Sequence, residues 1–287
     1  MWRDGKGTVY VEFLLVFPPL FLLFLVILQS AILRATDLGL RHAASGAARS
    51  AIVIIPDDPV AYEGAPQNLI SLQSSCSEGF VGKFHKVLGK LGVNSRMLPD
   101  DGKCLGGPRM SAIRFAAIMK MLPFSPNPQS ILPTSLHSSI EALGTMGWLA
   151  GAAAYSYGAT AVTFPKAPGS SQERDSYTFT DNEEVTVRVS YLAHCGIPIA
   201  RFFMCDSGRS LFSKFDTDAH KRDLGGTRAA RKRIKDAQSV LDKMSLSVGN
   251  RAIYFSLLVS GERFQVLSRE ATLPLNSAPY SYQVKGQ

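Results

Sequence analysis

The sequence predicts an α+β fold: a long N-terminal helix packed on an antiparallel sheet of about three to four strands, with extra helices. Three observations lead there. Residues 13–33 carry no charge and pass directly into an alanine-rich stretch. Residues 184–192 alternate apolar and polar side chains, the period of a half-buried strand. Between these segments lie shorter helical patterns broken by proline and glycine clusters. The chain has 287 residues, 46% of them apolar, enough for one or two domains beyond a membrane segment.

The N-terminal element comes first. Phe13–Leu33 is a run of 21 uncharged residues, and crossing a bilayer core takes about 20 in a helix. Secretory signals have shorter apolar cores and a small-x-small cleavage site, which the residues after Leu28 supply poorly. A retained span is therefore expected. Pro18 and Pro19 lie inside it, and each removes a backbone donor. Membrane helices tolerate this where neighbouring groups satisfy the freed carbonyls, so a helix kink is expected there.

Glu12 stands at the threshold of the span. An acid near a bilayer is costly and points to a function. One reading is that it lies at the interface and favours the positive end of the helix dipole. The other rests on spacing. A chain cut after Gly7 would place a new ammonium at Thr8, four residues before Glu12 and on the same helix face. Amine and carboxylate of neighbouring chains could then neutralise each other.

Beyond the span the helix is expected to continue to about Ile55, where Pro56-Asp57-Asp58-Pro59 stops it. Ala35, Gly39, Ala43, Ala47 and Ala51 recur every fourth residue, a small-residue stripe that lets another backbone approach closely. Asp37 and Arg41 form an i, i+4 pair on a more polar face. A helix from Val9 to Ile55 would be roughly 70 Å long at 1.5 Å per residue.

The segment Gly7-Thr8-Val9-Tyr10-Val11-Glu12-Phe13, followed by Pro18 and the run Ala43–Arg49, resembles TadE-like proteins. These are minor pseudopilins of the tight-adherence (Tad/Flp) pilus system in the type IV pilin superfamily. Their V-E-F-A-like motif precedes a proline-bearing apolar helix and an alanine-rich stretch. Here Leu14 replaces the alanine and the proline is doubled. A weaker likeness covers the tail at 269–275. The resemblance implies a pilin-like fold and a structural role in assembly, priming or capping of a Tad/Flp pilus or related secretion fibre. It implies a leader, 1–7, cut between Gly7 and Thr8 by a prepilin peptidase, with Lys6 before the cut. The Thr8 ammonium would then lie four residues before Glu12, and amine and carboxylate of neighbouring subunits could neutralise each other.

The implied domains are a transmembrane helix at 8–33, its exterior continuation at 34–56 and a periplasmic or extracellular α+β head at 57–287. The implied partners are the peptidase, other pilin or pseudopilin subunits, the Tad inner-membrane platform and the lipid bilayer. The implied place is the bacterial inner membrane, single-pass with a cytoplasmic N-terminus, and an extracellular pilus after assembly. Arg34, Arg41 and Arg49 beyond the span count against this orientation by the positive-inside rule. The processing logic of the leader and the cysteines outweigh them.

Four cysteines form two local groups, Cys76 with Cys104 and Cys195 with Cys205. None has a C-x-x-C neighbour, so zinc spacing is lacking. Exported proteins use cysteines as staples, and the expected disulfides are Cys76–Cys104 and Cys195–Cys205, the latter tying a hairpin. Crossed pairing and free thiols stay open. His85 and His194 read as ordinary polar residues.

The remaining elements follow in order. Residues 106–160 read as helical, with Met110–Leu122 amphipathic and His137–Tyr157 an Ala- and Gly-rich helix that suits tight burial. Residues 165–182 read as a polar loop. Glu184–Leu192 is a strand, and Arg251–Val259 is expected to pair with Arg263–Leu273 across Gly261-Glu262. Between the strands, Ala230, Ile234, Ala237, Leu241 and Met244 form an apolar helical stripe. Its other face, Arg228, Arg231, Lys232, Arg233 and Lys235, is a solvated surface or a basic docking face for an anionic partner.

The net charge is +8, and loss of Arg3, Asp4 and Lys6 with a leader leaves +7. For an anchored exterior domain, anionic envelope polymers suit this balance better than nucleic acid, which the lack of aromatic interleaving also disfavours. Arg201-Phe-Phe-Met-Cys-Asp206-Ser-Gly-Arg-Ser210 looks like a von Willebrand A metal-adhesion motif. Gly208 removes one ligand hydroxyl, and too little chain follows. Asp216-Thr-Asp218 lacks the glycine and glutamate of a calcium loop. No catalytic constellation, metal or cofactor is expected, and the chain is read as a non-enzyme. The alternative is a membrane-anchored adhesin or envelope-polymer binder that never joins a fibre.

Overall fold

The computed structural model describes residues 5–70, 107–127, 144–170, 177–180, 182–207 and 262–275, and only the backbone of 5–9, 144–147, 150 and 154. Helix α1 (Gly5–Ile54) is followed by α2 (Gly107–Met121), α3 (Gly144–Ala159), β1 (Thr160–Thr163), β2 (Glu184–His194), the short α4 (Ala200–Met204), β3 (Asp206–Ser207) and β4 (Arg263–Pro274). The strands form one antiparallel sheet in the order β1-β2-β4-β3. The expected α+β, pilin-like layout is present: a long apolar N-terminal helix, a four-stranded antiparallel sheet and additional helices.

Helix α1 runs for 50 residues through both prolines, about 75 Å at the helical rise. Its two halves face different surroundings. Residues 10–24 are all exposed, whereas Gln29 is buried and burial then recurs down one face. That face packs on β2, β4 and α2. Small residues permit the approach. Ala43, Ala47 and Ala51 are fully buried, and a Cβ placed on Gly39 would overlap the Phe124 ring. The stripe read from the sequence thus packs within the chain, apart from Ala35, which is exposed.

Strand β2 pairs along its whole length with β4, from Glu184 opposite Pro274 to His194 opposite Phe264. The side chains alternate as read, but the expected half-buried strand is corrected, because Thr186 and Ser190 on the polar face are buried too. Val185, Val187, Val189 and Tyr191 are fully buried on the face toward α1. Arg269 lies opposite Val189, and its guanidinium grips Asp37 of α1 at 2.7 and 2.8 Å. Arg41 also lies 3.5 Å from Asp37. The expected i, i+4 pair exists, but the expected polar face is corrected: Asp37 is buried against the sheet because β4 supplies it a cation. On the other face, directly opposed pairs meet across the strands: Thr186 with Thr272 at 2.9 Å, Arg188 with Glu270 at 2.8 Å and Ser190 with Ser268 at 2.8 Å. Such cross-strand pairs stabilise a sheet locally.

Three readings are corrected. The helical assignment through residue 160 fails at its end, because Thr160–Thr163 forms β1 on the edge of β2. β-Branched side chains suit that pleated edge better than a helix. The segment 165–182 is not wholly a polar loop. Tyr177 and Phe179 are buried, each with its ring 5.4 Å from Phe164, and Thr178 bridges to Leu69. Helix α3 buries Ala152, Tyr155 and Ser156 but exposes Trp148 and Leu149. Residues 251–259, His85, Cys76, Cys104 and the basic set Arg228, Arg231, Lys232, Arg233 and Lys235 lie outside the described residues.

Candidate functional site

The uncovered half of α1 is the first part of the site. Its apolar side chains face outward all round, including Phe13, Leu14, Leu15, Val16, Phe17 and Leu20. Phe13, Phe17 and Phe21 stack in sequence, with centroids 5.2 and 5.6 Å apart, as i, i+4 neighbours on a helix do. Among the described residues α1 is one helix long and apolar enough to cross a membrane, and none of its most apolar window is buried. Water cannot favourably solvate that much apolar surface. The helix fits a membrane-anchored protein.

The backbone of Lys6, Gly7 and Thr8 lies within the first turns of α1. Glu12 follows on the same helix and is exposed, presented to the surroundings of the chain. Pro18 and Pro19 sit inside the continuous helix.

The second part is the seat of the helix in the head. Arg109 of α2 is almost fully buried at 1% exposure. Its guanidinium donates to the carbonyls of Ile54, Asp57 at 2.8 Å and Ala65 at 2.9 Å. It also stacks 4.5 Å over the Tyr62 ring. The last carbonyls of a helix lack intrahelical partners and carry partial negative charge, so Arg109 caps the end of α1 from outside. Burial pulls its pKa down, and the nearby Tyr62, Asp57 and Asp58 oppose the shift. Arg114, one further turn along α2, donates to the carbonyls of Tyr157 at 2.5 Å and Thr160 at 3.3 Å. One helix therefore terminates two others. The reading of 110–122 as apolar and amphipathic gave Arg114 no role and began one residue after Arg109. Their signal was a set of cations, Arg109, Arg114 and Lys120, spaced along a mostly apolar helix.

The third part is the loop where the head touches α1 nearest the uncovered half. The Cys195–Cys205 disulfide is formed, with Cα atoms 6.5 Å apart. It joins the end of β2 to the end of α4 rather than two strands of a hairpin. Within this loop the Ile197 amide donates to Gln29 Oε1 at 3.1 Å, and Ser30 Oγ lies 3.8 Å from Met204 Sδ. Nearby, Glu262 accepts from Arg201 Nη1 at 2.6 Å and lies 3.1 Å from His194 Nε2. His194 is more than an ordinary polar residue: burial pulls its pKa down, Glu262 opposes that pull and Arg201 adds to it. Among the described residues no group of three or more His, Cys, Asp or Glu side chains converges as metal ligands would.

Comparison with known families adds one finding. Residues 7–49 match the family model described as TadE-like protein. The match begins at Gly7, includes Glu12 and both prolines, and ends in the alanine-rich stretch. The resemblance of the N-terminal segment therefore holds over those residues, and the matched region does not extend to 269–275. No curated protein and no solved structure matches the chain.

Proposed function

From the TadE-like character of residues 7–49, we propose that this chain is a membrane-anchored minor pseudopilin that enters, primes or caps a Tad/Flp pilus or related secretion fibre. A prepilin peptidase cuts it between Gly7 and Thr8, and the leader and the new N-terminus start on the cytoplasmic side of the inner membrane. The role is structural rather than catalytic, and its partners are other pilin-class subunits and the Tad inner-membrane platform.

The observation that carries this reading is the outward-facing apolar half of α1 with Glu12 exposed near its start. A carboxylate in an apolar setting needs a counter-charge. The Thr8 ammonium of a neighbouring subunit supplies one in an assembled bundle. The head is built to hold this helix rigidly, through the Arg109 cap and the Asp37–Arg269 pair. Force or register applied at the helix is thereby passed to the sheet.

The test is Glu12→Ala in the native host, with subunit content measured in membranes and in sheared fibres. Unchanged membrane levels and about tenfold less subunit in fibres are expected, the effect of losing ~1.4 kcal/mol at a contact. Equal incorporation would remove the assigned role of the carboxylate and favour an anchored adhesin or polymer binder.

A further inference from the structure

The disulfide-closed loop between β2 and β3 carries three large apolar side chains that no described residue buries. Ile199 is 45% exposed, Phe202 53% and Phe203 58%. Scattered surface apolar residues are ordinary, but these three share one loop and short helix, and that loop is fixed in place. Cys195–Cys205 closes it, the Cys205 amide donates to the Arg201 carbonyl at 3.1 Å, and Arg263 Nη1 donates to the Cys205 carbonyl at 3.0 Å. Ile199 holds a positive φ of 67°, a region a β-branched residue enters only when its surroundings impose it.

Position along α1 decides what this tip meets. Ile197 bonds Gln29, and Met204 contacts Ser30. Gln29 is also the first buried residue after the uncovered stretch of the helix. Twenty helical residues span about 30 Å, the thickness of a hydrocarbon core. A span ending at Leu28 therefore begins near Val9, and the tip stands where the core gives way to headgroups. Two guanidiniums lie over Phe202, Arg263 at 4.6 Å and Arg201 at 5.6 Å from the ring centroid. Large apolar side chains such as Phe beside Lys or Arg are the composition of segments that lie in the membrane–water interface.

We propose that Ile199, Phe202 and Phe203 insert into the interfacial layer of the bilayer that α1 crosses, giving the head a second, non-spanning membrane contact. The occupant is lipid because the loop that bears these side chains touches α1 at Gln29 and Ser30, where the exposed apolar stretch of the helix ends. Two contacts, one spanning and one interfacial, fix the tilt and rotation of the head, which a single helix leaves free. The proposal rests on the membrane-anchored reading of α1 and is independent of leader cleavage and of Glu12.

The experiment uses the full chain in phosphatidylcholine vesicles containing lipid brominated at the upper acyl positions. Trp2 and Trp148 are first replaced by phenylalanine. Single tryptophans are then placed by Phe203→Trp, Phe202→Trp, Leu20→Trp in the span and Val60→Trp on the far side of the head, with disulfide retention verified by mass spectrometry. Quenching of Phe203→Trp and Phe202→Trp at least twofold above Val60→Trp is expected, at low protein-to-lipid ratio. Quenching no greater than at Val60→Trp, with Leu20→Trp quenched, overturns the proposal while leaving the anchor intact. Absence of quenching at Leu20→Trp as well overturns both. Protection from bromolipid that grows with protein density identifies a second copy as the occupant and also overturns the proposal.

Discussion

Arg109 is the residue on which the seating of α1 depends. It is charged, buried and bonded to carbonyls at the end of α1 and in the turn that follows. Removing one partner of a buried hydrogen bond leaves the other unsatisfied, at a cost of about 1–3 kcal/mol per group. Arg109→Met is therefore expected to destabilise the head by about 3 kcal/mol, read as a lower urea midpoint for the detergent-solubilised chain. Arg109→Lys should recover only part of the loss, because an ammonium cannot reproduce the planar fork. Equal stability of Arg109→Met and the parent would refute the capping role. At His194 the sign of the pH effect follows from burial. Its folded pKa lies below the ordinary 6.5, so below that pH the unfolded chain takes up a proton that the folded chain resists. Stability should fall as pH drops through the range between the unfolded and folded pKa values, and be fully present above 6.5. His194→Gln should flatten that part of the profile in urea titrations at several pH values. An identical slope in both proteins would contradict it.

At the scale of elements, the contact between α1 and the turn after α2 can be tested through one glycine. A Cβ at Gly39 would overlap the Phe124 ring. Alanine favours a helix over glycine by about 1 kcal/mol, whereas overpacking costs about 1–3 kcal/mol. Gly39→Ala alone is expected to destabilise, and in a Phe124→Ala background the same change is expected to stabilise by up to about 1 kcal/mol. Thermal or urea unfolding of the four proteins reads the sign change, and additivity would show that the ring and the glycine are uncoupled. The same element shows what was legible in the sequence. The four-residue spacing of Gly39, Ala43, Ala47 and Ala51 announces close approach, since only small side chains permit it. It does not name the neighbour, which depends on where α2 and the sheet dock. Strand β2 was legible because apolar and polar side chains alternate along it, although both of its faces are largely covered. Strand β1 was not: four residues after an alanine- and glycine-rich helix carry too little periodicity to mark the change. Asp37 was read by its local partner Arg41, while Arg269 is 232 residues away, beyond any spacing rule.

For the whole molecule, the described residues form a single arrangement: a sheet and α2 clasp the second half of a helix whose apolar first half is exposed. The matched family segment, 7–49, coincides with that helix rather than with the head. The helix was legible because both its demands, a run long enough for a bilayer and a stripe small enough for packing, are local patterns. The head was legible only as a class. Its burial depends on pairings between distant segments, and its arginine caps show in sequence only as cations within a mostly apolar helix, with no mark of the carbonyls they bind. The functional account joins these scales at the N-terminus, where cleavage would expose the Thr8 amine four residues from Glu12. The most direct measurement is mass spectrometry of the mature N-terminus of the chain purified from its native membrane. A chain beginning at Thr8 is expected. A chain that retains Met1, or one that begins beyond Leu28, would contradict it.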